Sequence, residues 1–105
     1  MVHTSNSFRP DALNLDKLSE DEYYRLLASE RRRHAIVTLQ GRSMTIGLEE
    51  VASDVASRAI ESGDPSQGTI QNVAVSLHHV HFPLMEEMDI LEYDHQTNRV
   101  VDIGL

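Results

Sequence analysis

The stretch Thr69-Ile70-Gln71-Asn72-Val73-Ala74-Val75-Ser76-Leu77-His78-His79-Val80-His81-Phe82 decides how the rest of the chain is read. At about 100° per residue, Ile70, Val73, Ala74, Leu77, Val80 and His81 gather on one side. Gln71, Asn72, Val75, Ser76 and His79 fall on the other. The spacing predicts an amphipathic helix over 69–82 whose outer face carries no charge. Pro83 follows, and it suits the first position of a further short helix over 83–88, where its missing N–H has no partner anyway.

Toward the C-terminus, Ile90 to Tyr93 reads as a strand, 94–98 as a turn, and Arg99 to Ile103 as a second strand of alternating character. Together they predict a β-hairpin. Toward the N-terminus, residues 61–68 form a loop by composition. Before it, Leu48, Val51, Ala52, Val55 and Ala59 recur at helical spacing and predict a helix over 48–60. Met44-Thr45-Ile46 reads as a very short strand that Gly47 breaks. A helix from the cap Ser29 carries Ala35, Ile36 and Leu39 as its apolar stripe and stops at Gly41. A first helix opens on the capping box Ser19 and Glu22, with Leu18 and Tyr23 as a hydrophobic staple and Leu26 and Leu27 on the same face. Residues 1–17 form an N-terminal arm whose large apolar groups are Phe8, Leu13 and Leu15; residues 18–105 form the domain.

This order predicts a mainly α fold with a small β-hairpin, in the α+β class. Its last helices and hairpin match a helix-turn-helix followed by a wing, hence a winged helix-turn-helix. The 105 residues suffice for one domain, and the 40% apolar content for one modest core. The absence of cysteine excludes disulfides and thiolate chemistry. No apolar run is long enough to span a membrane, and the polar opening, Met1 to Pro10, offers no signal core, so a cytoplasmic protein is expected.

Seventeen acidic residues stand against nine basic ones, a net charge of −8, and Lys17 is the sole lysine. Acid excess with lysine depletion predicts a protein that works in concentrated salt. There the screening length falls to about 3 Å, so repulsion between this surface and a polyanion is muted.

Two segments carry a family resemblance. One is Leu26-Leu27-Ala28-Ser29-Glu30-Arg31-Arg32-Arg33-His34. The other runs from Val75-Ser76-Leu77-His78-His79-Val80-His81-Phe82-Pro83-Leu84-Met85-Glu86 to Glu92-Tyr93-Asp94. Over residues 18–103 the chain resembles the small winged helix-turn-helix domains abundant in haloarchaea, often described only as domains of unknown function. These are in turn similar to ArsR-like and MarR-like regulators. Family members often carry a lysine or arginine after the proline, where this chain has Leu84-Met85. The resemblance implies DNA binding in transcription.

On that expectation the helix over 69–82 enters the major groove. Gln71 and Asn72 suit bidentate contact with adenine, Ser76 donates or accepts, Val75 meets a thymine methyl, and His79 reaches a base or phosphate. Thr69 and Ile70 offer helix N-terminal N–H groups to a phosphate. Arg99 and His95 contact DNA from the wing. Electrostatics oppose this: between Arg58 and Arg99 there is no lysine or arginine, yet seven acidic residues. A protein–protein module on the same fold is the competing expectation. Arg31, Arg32 and Arg33 are candidate phosphate contacts, weighed against ion pairing with Glu20, Asp21, Glu22 and Glu30.

His78 and His81 with His79 or Glu86 raise a metal site, but the helical wheel separates them. A buried His81 bonded to a carbonyl near Pro83 is the simpler expectation. No phosphate loop, nucleophile elbow or zinc motif occurs, so neither an enzyme nor a cofactor is expected. The expected partners are double-stranded DNA and a second copy of the chain, the latter through Phe8, Leu13, Leu15 and the outer face of the first helix at Tyr24.

Overall fold

Ser19 starts the ordered helices as its sequence demands: its Oγ accepts from the Glu22 N–H at 3.1 Å while the Glu22 carboxylate accepts from the Ser19 N–H at 3.0 Å. A computed structural model describes residues 17–40, 45–60 and 62–104. Helix α1 spans Glu20–Leu27, and after two residues α2 spans Glu30–Gln40, with Ser29 Oγ accepting from Arg32 N–H at 3.2 Å. Strand β1 is Ile46–Gly47, followed directly by α3, Leu48–Arg58. Helix α4 spans Gln67–Ser76, a π-helical segment covers Leu77–His81, and α5 covers Phe82–Glu87. Strands β2 (Leu91–Asp94) and β3 (Arg99–Ile103) close the fold. The architecture is α+β, mainly helical with a small antiparallel sheet of order β1-β3-β2.

One core joins these elements. Leu26 of α1, Ile36 and Leu39 of α2, Val51 and Val55 of α3, Leu77, Phe82, Met85, Ile90 and Val100 are all fully buried. Burying each large apolar side chain contributes roughly 1.5–3 kcal/mol. Leu18 and Tyr23, the two halves of the staple, pack partly buried against the same core.

The structure corrects several boundaries. Gly47 does not break β1; it pairs with Arg99 as Ile46 pairs with Val100, and it also caps α3. Helix α3 ends at Arg58, so Ala59 is its exposed C-cap and Ala56 is the buried member of the stripe. The first hairpin strand is shifted by one residue, to Leu91–Asp94. Gly41, Met44, Phe8, Leu13 and Leu15 lie outside the described residues, as does the arm up to residue 16.

The largest correction concerns the deciding helix. It begins at Gln67 because Ser66 caps it, with Ser66 Oγ accepting from Thr69 N–H at 3.1 Å. It does not end at Phe82. The π segment carries it into α5, the Phe82 N–H reaching back five residues to the Leu77 carbonyl. Pro83 explains this. Inside an α-helix its ring collides with the carbonyl four residues earlier; a widened turn just before it relieves that collision. The extra residue in the turn rotates the wheel. His81 and Phe82 come under Leu77, and Val80, expected inside, is 54% exposed.

Tight polar turns fix both ends of β2. Asp89 adopts a positive φ of 64° after α5, while Asp89 N–H donates to Glu86 O (2.9 Å) and Ile90 N–H to Met85 O (3.1 Å). This pairing satisfies the last carbonyls of the helix. In the hairpin turn, Asp94 Oδ1 accepts from Gln96 N–H at 2.9 Å and from Thr97 N–H at 3.4 Å, and Asn98 has φ 57°. The Asn98 carbonyl accepts from Leu48 N–H at 2.8 Å, so the turn is fastened to the start of α3. A bulge follows: Glu92 pairs with Asp102 but Tyr93 with Val100, which leaves Val101 as the extra residue on β3.

Candidate functional site: the outer face of α4 and the hairpin turn

Helix α4 contains no charged side chain, and its outer face is well presented. Thr69, Gln71, Asn72 and His79 are exposed, Val75 is 51% exposed, and Ser76 is half-buried. Val73 and Ala74 are buried on the opposite side, and Ile70 packs partly buried against the core. The sequence wheel therefore holds as far as Ser76 and fails only within the π segment.

The N–H groups of Thr69 and Ile70 do not await a phosphate. Thr69 N–H goes to Ser66 Oγ, Ile70 N–H goes to the Ser66 carbonyl at 3.0 Å, and Thr69 Oγ1 accepts from Ser66 Oγ–H at 2.9 Å. The early start of the helix uses the donors that the expected start at Thr69 left open.

The π segment and the hairpin turn meet in an aromatic and imidazole cluster. The ring of His78 lies 4.8 Å from His79, 5.5 Å from Tyr93 and 5.5 Å from His95, each edge-on. His95 in turn lies 4.8 Å from Tyr93. His78 Nδ1 and the Tyr93 hydroxyl are 2.7 Å apart, and that hydroxyl also donates to Asn98 Oδ1 at 3.4 Å. Glu86 supports the cluster from α5: one carboxylate oxygen accepts from Tyr93 N–H at 3.1 Å, the other from His95 Nε2 at 3.3 Å. Burial, then the neighbouring His79 and His95, lower the His78 imidazole below its usual range. Burial, then Asp94 and Glu86, raise the Tyr93 phenol. Asp94 is held low mainly by the Gln96 N–H and by Thr97.

Arg99 is exposed on β3, opposite Asp94 in the ladder, so His95 and Arg99 flank the same turn. The triple arginine lies elsewhere and divides its work. Arg32 donates through Nε to Leu26 O (2.9 Å) and through one terminal nitrogen to Arg25 O (2.7 Å). Arg33 donates to Leu27 O at 2.6 Å. These contacts bring side-chain donors to the last carbonyls of α1, in place of the acid pairing expected for them. Arg31 is exposed.

His81 is 8% exposed, and its Nδ1 faces an Arg32 terminal nitrogen at 3.2 Å, not the carbonyl near Pro83 that the sequence suggested. His78 and His81 thus serve separate partners on separate sides. Among the described residues, no three histidine, aspartate or glutamate side chains converge as metal ligands.

Sequence reasoning named His79, His95 and Arg99 but missed that Tyr93, Glu86 and Asn98 belong with them. The signal was present. Tyr93 sits two residues after Leu91, on the inward side of β2, and a buried tyrosine hydroxyl needs a partner. His78, on the facing helix, is that partner.

No curated protein and no solved structure matches the chain. A family model described as Domain of unknown function (DUF7344) matches residues 24–101, from within α1 to within β3. The match takes in every helix and strand that builds the core and the cluster, and the chain belongs to the DUF7344 family.

Proposed function

We propose that this chain is a winged helix-turn-helix DNA-binding regulator of a salt-adapted archaeon, related to the ArsR-like and MarR-like regulators. In this reading it acts in the cytoplasm as a homodimer, with α4 as recognition helix and the β2–β3 hairpin as wing. The observation that carries the reading is the outer face of α4: Gln71, Asn72 and Val75 stand exposed on a helix that packs against α3 by its other side. Such a face suits base edges, with amides for adenine and a branched apolar group for the thymine methyl. The sheet order β1-β3-β2, with β2 packed on α5 at the end of the same helical run, supports the wing. The net charge of −8 supports operation in salt, where the contribution of counterion release is small for any protein. Tyr24, 63% exposed on α1, supports the dimer contact.

The test is selection from a random duplex library in concentrated salt, followed by anisotropy on the enriched sequence. The reading expects a defined motif. Asn72→Ala and Gln71→Ala each weaken binding by about 1–3 kcal/mol, roughly 5- to 150-fold, and relax the preference at one position. Failure to enrich any motif overturns it.

A protein–protein module is the second reading, favoured by Val75 and Val80, both more than half exposed along a helical run that carries no lysine or arginine. It expects Val75→Asp and Val80→Asp to abolish co-purification of a native partner, with DNA behaviour the same as wild type.

A further inference from the structure

His79 and His95 are exposed and both close around His78 at the junction of the π segment and the hairpin turn. We propose that His78, His79 and His95 form a proton-dependent oxyanion site whose occupant is a phosphodiester of the DNA backbone. The identity of that occupant rests on the DNA-binding reading; the oxyanion chemistry does not.

From α4 through α5 there is no lysine or arginine, and Arg99 is the cation of the neighbouring turn. The ionisable groups facing the cluster are Glu86 from α5, Asp94, Tyr93 and Arg99 from the hairpin, and the three imidazoles themselves. With the imidazoles neutral, the two carboxylates outweigh Arg99 and the patch is negative. With all three protonated it is positive. Imidazole is the side chain whose charge changes between about pH 5 and 8, so the sign of this surface follows ambient pH.

The hydrogen bonds of the cluster accommodate the proton. The Tyr93 hydroxyl lies between His78 Nδ1 and Asn98 Oδ1. When His78 is neutral with Nδ1 bare, the hydroxyl donates to it. When His78 is charged, its Nδ1–H donates to the hydroxyl oxygen, and the hydroxyl turns its hydrogen to Asn98. Neither state strands a polar group. Glu86 holds His95 in the same cluster through its Nε2.

Burial first, then repulsion from His79 and His95, whose rings lie 4.8 and 5.5 Å away, makes His78 resist its proton when the site is empty. A bound oxyanion removes that penalty. Protonation and anion binding therefore reinforce each other, by the same factor in both directions. The contacts are short-range, so the site keeps its effect in salt that screens more distant charges.

The experiment uses the full chain and two probes, a short duplex of mixed sequence and inorganic pyrophosphate. Anisotropy follows duplex binding from about pH 7.5 to about pH 5.5 at fixed salt. This range stays above the acid region in which His81, held down to about 4, protonates. NMR of the imidazole rings follows the titration midpoints with and without pyrophosphate. The expected result is duplex affinity rising at least about tenfold over the window, a rise lost in the His79→Gln, His95→Gln double variant, with midpoints moving upward when pyrophosphate is present. Duplex binding that is flat with pH, and unchanged in the double variant, overturns the site while leaving the DNA reading standing. No duplex binding at any pH, with midpoints that still rise in pyrophosphate, supports the site and overturns the DNA reading. Midpoints and affinities indifferent to both probes overturn the site.

Discussion

The guanidinium of Arg32 donates to Nδ1 of His81 across 3.2 Å, joining the first turn of α2 to the end of the π segment. Its other nitrogens hold the Arg25 and Leu26 carbonyls of α1. One side chain thus ties three helical elements together. An arginine can only donate, so Nδ1 of His81 must be bare and its proton must sit on Nε2. The buried imidazole is therefore neutral in the native state.

That neutrality makes the fold acid-sensitive with a definite sign. Burial first, then Arg32 and Arg31, push His81 down to about 4 from an ordinary 6.5. Between these values the unfolded chain binds the proton and the folded chain does not. The contribution of His81 to stability is whole above about pH 6.5 and is lost progressively as pH falls toward about 4, by up to roughly 1.4 kcal/mol per pH unit. Urea midpoints taken down this range should decline. His81→Gln keeps an acceptor for Arg32 but cannot titrate, so its midpoint should decline less. Parallel declines in the two proteins would assign the effect to other groups, His78 among them, whose lowered imidazole acts in the same direction.

Arg32 and Arg31 should part company under mutation. Arg32→Ala removes two carbonyl contacts at the end of α1 and leaves the buried His81 nitrogen without its donor, at a cost of about 2–3 kcal/mol. Arg32→Lys should recover less than half, because a single ammonium cannot span three acceptors held in different directions. Arg31 is exposed, and Arg31→Ala should lie within about 0.5 kcal/mol of wild type. Denaturant unfolding of the three variants measures this. Equal losses at positions 31 and 32 would contradict the tie between α1, α2 and the π segment.

The arginine triplet also shows where the sequence is readable and where it stops. Three consecutive arginines on a helix must point three ways, and that much follows from geometry alone. Which of them meets a carbonyl depends on how α1 folds back after two residues, and no periodicity records that. Capping is local, so Ser19 with Glu22 was legible in full. The apolar stripes of α2 and most of α3 were legible for the same reason, as was the outer face of α4 up to Ser76. The hairpin was visible, but β1 lying against β3 was not, because two residues carry too little pattern to announce a partner. At the candidate site the separate residues His79, His95 and Arg99 were legible. Their gathering around His78 and Tyr93 was not, since it depends on a helix that leaves its regular period.

That departure is itself open to test. A π segment is an α-helix with one residue too many, and here the extra residue precedes a proline. Val80 is, with His79, an exposed member of the segment, and deleting it returns the run to ordinary spacing, with Leu77 above Phe82 by one turn. The core side chains on either side then keep their places. The ring of Pro83, however, now meets a carbonyl one regular turn behind it, and a helical hydrogen bond is missing there, at a cost of about 3 kcal/mol. The deletion alone should therefore destabilise the domain by about that amount. Adding Pro83→Ala to the deletion restores an N–H and removes the ring, so most of the loss should return. Thermal or urea unfolding of the single and combined variants reads the difference. A deletion that is harmless with proline in place would mean the widened turn answers to something other than Pro83, and the rotation that exposes Val80 and buries His81 would need another cause.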